Sequence, residues 1–193
     1  MGSQLDQLSR LLTPPGTAVS VPPWDLSLME VGFEFPRDHR EFIGRYGSGR
    51  LSSTDKVVEL AIVGPTTTSS CASGSGFTAF VENTTGNPPD FVDKYEEGIP
   101  YVSFPGPGSL LEWGFTDNGD RFFWLVEGRD PDAWTVVEMP RSETRTYRFN
   151  GGMVDYLLAL MRQQFPTARY YIGSEARWTV CTDWLRTYDE HNS

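Results

Sequence analysis

The chain has 193 residues, 26 acids against 16 bases, a formal net charge of −10 and 13% aromatic side chains. That length sets a single domain of ordinary size, and the aromatic content excludes global disorder. The charge excludes a protein that grips nucleic acid through its phosphates, and no apolar run approaches the ~18 residues that would cross a bilayer.

Residues 1–12 alternate polar and apolar groups without a continuous apolar core, so no secretory signal is read and a cytoplasmic location is expected. Leu5, Leu8, Leu11 and Leu12 recur at spacings of three and four, which predicts a short amphipathic helix. Thr13-Pro14-Pro15-Gly16 ends it and opens a Pro-rich connection to residue 23. Trp24 is expected as a core or lid aromatic. Pro36 opens a second helix over 37–46, with His39, Phe42, Ile43 and Tyr46 on one face and Gly47 as its stop. Gly49 is read as a tight turn, and residues 56–63 as a strand. The Thr/Ser/Gly-rich stretch 64–76 reads as a loop, and 86–108 as a long connection with one short strand near 101–104.

The clearest local signal is a hairpin: a strand over 110–116, a type I′ turn at Asn118-Gly119, and a return strand over 121–126. The unbroken apolar run Phe122-Phe123-Trp124-Leu125-Val126 predicts a strand buried on both faces. Strands over 134–138 and 144–149 follow, then a break at Asn150-Gly151-Gly152. A last helix presents Val154, Leu157, Leu158, Met161 and Phe165, and ends at Pro166. The order helix, helix, strand, antiparallel meander, helix gives an α+β domain. We divide the chain into an N-terminal helix and connection (1–23), an α+β domain (24–165) and an aromatic extension (166–193). The extension is expected to pack back as a strand and a short helix.

Catalytic and metal patterns are absent from the sequence. His39 is expected as a structural imidazole and His191 as an exposed one. Two cysteines, Cys71 and Cys181, and two histidines have no zinc-ligand spacing. The thiols are read as free, with a single bridge as the alternative. Gly74-Ser75-Gly76 lacks the Lys of a phosphate loop, and no Gly-x-Ser-x-Gly nucleophile pattern occurs. No cofactor, metal or enzymatic activity is expected. An enzyme would require Cys, His or carboxylates to converge in space.

The acidity is concentrated. Residues 82–132 hold eleven acids and three bases, most of the net charge. Such a window is either a solvated face or a landing surface for a basic partner. Asp117 and Asp120 would face each other across the hairpin end, as a hydrated turn or as a pair neutralised by a partner Arg or Lys or by a cation.

The stretch Val31-Gly32-Phe33-Glu34-Phe35-Pro36, continued by Arg45-Tyr46-Gly47-Ser48-Gly49, resembles the opening motif of the SUKH superfamily. Leu110-Leu111-Glu112-Trp113-Gly114, Asn118-Gly119-Asp120, Phe123-Trp124 and Gly128-Arg129-Asp130-Pro131-Asp132-Ala133-Trp134 are similar to its actinobacterial branch. The resemblance covers roughly residues 20–165. It implies a twisted, mostly antiparallel sheet flanked by helices. It also implies an immunity-type protein that binds and neutralises a bacterial toxin, often a nuclease; fungal relatives are regulators of cell-wall assembly. On that reading the partner is a basic toxin domain, met by Glu112, Asp117, Asp120, Glu127, Asp130 and Asp132, with Trp113 and Trp134 as anchors or their support. Trp124 is read as core. The alternative is an intracellular regulatory or scaffold protein that binds a host protein and has no toxin partner.

Overall fold

The computed structural model describes residues 3–65, 76–85 and 104–181. Helix α1 (Gln4–Leu11) begins with a reciprocal cap: the Asp6 amide donates to the Ser3 hydroxyl at 3.1 Å, and the Ser3 amide to the Asp6 carboxylate at 3.0 Å. Leu5, Leu8 and Leu12 are buried, whereas Leu11 faces water. A 3₁₀ turn (Trp24–Leu26) leads into the short helix α2 (Ser27–Val31), which the sequence pattern did not indicate. Helix α3 (Arg37–Tyr46) buries the expected His39, Phe42, Ile43 and Tyr46; Pro36 takes its cap position and Gly47, at φ +70, ends it.

Among the described residues seven antiparallel strands follow in one sheet, in the order β6-β5-β4-β3-β2-β1-β7. Gly49 is not a turn but the first residue of β1 (Gly49–Ser52). A side chain there would collide with the Thr179 carbonyl and the Trp178 indole of the neighbouring strand, so only glycine lets the two strands pair. The expected strand over 56–63 shrinks to β2 (Leu60–Ile62), because the residues before it make the turn that returns the chain to β1; Val57 is 91% exposed. Helix α4 (Phe77–Thr85) precedes the hairpin of β3 (Leu110–Thr116) and β4 (Arg121–Leu125). Then come β5 (Thr135–Met139) and β6 (Tyr147–Phe149). Most of the loop expected over 64–76, the short strand expected near 101–104 apart from Phe104, Cys71 and His191 lie outside the described residues.

Helix α5 (Met153–Met161) stops well before Pro166. Gln163 adopts φ +56, its amide bonds the Leu160 carbonyl at 2.9 Å, and the Gln164 amide bonds that of Ala159 at 2.8 Å. This is a Schellman ending made without glycine. It turns the chain into α6 (Ala168–Tyr171) and β7 (Arg177–Val180), which completes the sheet as an edge strand against β1. The fold is α+β. Buried side chains of α1, α3, α4 and α5 share one apolar cluster with Leu51, Ile62, Trp113, Phe122, Trp124 and Val136. The opposite face of the sheet carries a smaller cluster: Leu110, Phe123, Leu125, Val137 and Met139. Strand β4 is therefore buried on both faces.

Candidate functional site

The residues picked from the acidic window do not form one surface. They separate according to strand alternation and to which end of the β3–β4 hairpin they occupy.

The hairpin loop has three residues, not two. The Thr116 amide bonds the Asp120 carbonyl and the Gly119 amide bonds the Thr116 carbonyl, both at 2.9 Å. Gly119 has φ +90, and Asn118 is not among the residues of positive φ. This is a type I turn followed by a left-handed residue, in place of the expected type I′ turn. The extra residue sends the two aspartates apart. Asp120 turns inward and is buried; its carboxylate accepts from the Thr116 hydroxyl at 3.0 Å and from the Arg141 amide at 2.8 Å. Asp117 stays exposed and accepts from the Glu59 amide at 3.2 Å.

Glu112 is also buried. A shift in register between Glu112 and Gly114 interrupts the β3–β4 ladder. Trp113 lies in the helix-side cluster against Phe122 and Tyr156, while Glu112 reaches Arg121 in a close ion pair. Burial pushes the Glu112 carboxyl up to about 7, against the pull of that guanidinium. Trp134 is buried too, and its indole N–H donates to the Gly128 carbonyl at 3.0 Å. Glu112, Trp113, Asp120 and Trp134 thus hold the hairpin together from inside.

Glu127, Asp130 and Asp132 are exposed, at the end of the hairpin away from Asp117. Five residues of β4 separate the two ends, a span of roughly 17 Å. The connecting loop is well braced. Asp130 accepts the Asp132 amide at 3.1 Å and so caps the 3₁₀ turn Pro131–Ala133. Asp132 accepts the Arg37 amide at 2.6 Å, which ties the loop to the start of α3. Glu127 bonds the Thr135 hydroxyl and the Arg148 guanidinium, each at 2.9 Å.

Two further polar residues are buried on the helix side. His39 bonds the Val63 carbonyl through Nε2 at 2.9 Å, so that nitrogen carries the proton. Burial pulls the imidazole down to about 4, and it packs edge-on against Trp124 at 4.8 Å between ring centroids. The second is Glu138, which sequence reasoning took only as the end of a strand. It is fully buried; Oε2 accepts from the hydroxyls of Tyr156 and Thr167, and Oε1 from that of Tyr171, all at 2.7 Å. Burial raises its carboxyl above the ordinary range, and the three hydroxyls oppose that rise. The signal available in the sequence was a lone carboxylate inside Trp-Thr-Val-Val-Glu-Met, at an inward position of an otherwise apolar strand.

Among the described residues no group of three or more His, Cys, Asp or Glu is placed to hold a metal ion, and no helix is long and apolar enough to cross a membrane. Cys181 is a free thiol, raised by burial and lowered by the nearby Arg50. What the exposed part of the site offers chemically is a braced loop carrying three carboxylates. Comparison with protein-family models, with curated proteins and with solved structures finds no match.

Proposed function

We propose that this chain is a non-enzymatic, immunity-type binding protein that neutralises a basic bacterial toxin domain. The observation that carries the reading is the loop over 127–132, whose Glu127, Asp130 and Asp132 face water on a backbone fixed from beneath by Trp134 and from the side by Arg37. A pre-ordered acidic loop speeds encounter with a basic face and spends little entropy on docking. Its ion pairs with Arg37 and Arg148 are exposed, of the kind worth ~0–1 kcal/mol, so a partner's guanidinium can replace them at small cost. A nuclease is basic where it binds phosphate, which makes such a loop a sensible block. The resemblance to the SUKH superfamily points the same way. Asp117, at the far end of the hairpin, is left out of the surface.

The test is capture of a partner from the source organism at low and moderate salt, followed by kinetics. We expect a basic toxin domain whose activity the protein inhibits. The triple reversal Glu127→Lys, Asp130→Lys, Asp132→Lys should slow association about tenfold at low salt and flatten its salt dependence, while Asp117→Lys should leave both unchanged. Recovery of a host protein with no toxin would transfer the weight to the regulatory or scaffold reading. Unaltered kinetics in the triple variant would remove this loop.

A further inference from the structure

Helix α2 carries two adjacent large apolar side chains that both face water, Leu28 at 59% and Met29 at 77% exposure. The rest of the helix explains why they point outward. Ser27 is buried and its hydroxyl donates to the Trp24 carbonyl at 2.9 Å, while Leu26 and Val31 pack against the core. Trp24 beneath them is fixed by Phe35 at 5.7 Å and Phe77 at 5.6 Å between ring centroids. The helix therefore stands on a rigid aromatic base, and Gly32 at φ +81 ends it after one turn and a half.

Among the described residues, the charged side chains of the segment that carries this pair are acidic. Asp25, Glu30 and Glu34 are exposed, and no Lys or Arg occurs between residues 11 and 36. Helix α4, which packs against α2, adds the exposed Glu82. Beyond Gly32 the chain runs directly onto the acidic loop: Phe33 meets Trp134 at 5.8 Å and the Arg37 amide binds Asp132. An apolar centre with a polar, charged rim is the anatomy of a binding hot spot. A thioether at the centre adapts to the side chain it receives, and a rim of one charge selects a partner of the other.

We infer that α2 is the apolar anchor of a docking surface, and that its occupant is a basic amphipathic segment of a partner protein. The segment places an apolar side chain on Leu28 and Met29, and Lys or Arg against Asp25, Glu30, Glu34 and Glu82. This rests on the reading above that the partner is basic. It adds where the apolar contact is made, a feature the sequence pattern did not indicate.

The test uses the full chain with methyl-labelled methionine and a fluorescent Lys/Leu amphipathic helix of about 18 residues as the probe. A peptide of the same composition with its leucines scattered is the control. The expected result is a shift of the Met29 methyl signal on adding the amphipathic peptide, while the buried Met139 and Met153 stay in place. The double variant Leu28→Ser, Met29→Ser should weaken binding about tenfold with its melting temperature unchanged, since both side chains are exposed. An unmoved Met29 signal, equal binding of the scattered peptide, or full binding by the double variant each overturns the inference. If the double variant binds fully and the triple reversal at 127, 130 and 132 does not, the α2 anchor falls and the acidic loop stands. Loss of binding in the double variant alone supports the anchor and removes the loop from this contact.

Discussion

Glu138 and Glu112 lie on opposite faces of the same sheet, and their surroundings solve one problem in two ways. Both carboxylates are buried, and burial raises both. Glu138 is surrounded by three neutral hydroxyls from α5, from the start of α6 and from α6 itself. Among the described residues Glu112 is paired with the guanidinium of Arg121, whose side chain is about a third exposed. Hydroxyl donors fix geometry: each must be aimed, and each belongs to an element that is thereby tied to β5. A guanidinium supplies charge and leaves most of the geometry to the strand. The helix-side carboxylate is thus a clasp for the C-terminal third of the described fold, whereas the other braces its own hairpin.

Removing the clasp should have the largest effect. Glu138→Ala removes the carboxylate that three buried hydroxyls share, and we expect a loss of about 4 kcal/mol in urea unfolding, with α6 and β7 exchanging amide protons first. Glu138→Gln, which keeps the shape and one acceptor, should cost less than half of that. A loss confined to the site, with α6 as protected as before, would break the comparison.

The next effect is a pH dependence on the other face. The Glu112 carboxyl is raised from 4.5 to about 7 in the fold, so the folded state holds its proton where the unfolded chain has lost it. Its contribution is greatest below pH 4.5 and declines as pH rises through about 7. We expect about 3 kcal/mol of stability to be lost across that interval, and Glu112→Gln to flatten the curve. A wild-type profile that already runs flat would mean that Arg121 holds Glu112 ionised throughout.

Tyr171→Phe tests the clasp more gently. It removes one of three donors, and we expect a loss of about 1 kcal/mol by the same measurement. The smallest effect belongs to the exposed carboxylates. Glu127→Lys should change stability by less than about 1 kcal/mol, since its pair with Arg148 is exposed and its bonds to Thr135 and Arg148 are to side chains and not to a backbone amide. A large loss there would show that the loop is structural and not a free binding surface.

The contrast also marks what could be read in the chain. Helices α1, α3 and α5 were legible because leucine, phenylalanine and valine recur at helical spacing, and β4 because its apolar run has no alternation. Over the described residues 166–181, the packing of the chain back onto the domain was legible because this stretch is too aromatic to stay in water, while its order of helix and strand was not. Helix α2 escaped because five residues are too few to show a period, and β1 because its glycine marks a close strand contact and not a turn. The site was less legible than the fold. Eleven acids within residues 82–132 describe a window of charge, but alternation sends Glu112 and Asp120 inward and a three-residue loop separates Asp120 from Asp117.

The sequence by itself determined the class of the fold, the place of the hairpin and the excess of negative charge, because these depend on spacing and composition within a few residues. Tertiary structure decided which carboxylates meet water and which meet hydroxyls. That choice depends on partners far away in the chain: Tyr156, Thr167 and Tyr171 lie 18 to 33 residues from Glu138, and Arg37 lies 95 from Asp132. A carboxylate's environment is set by whatever packs against it, and local pattern carries no record of that.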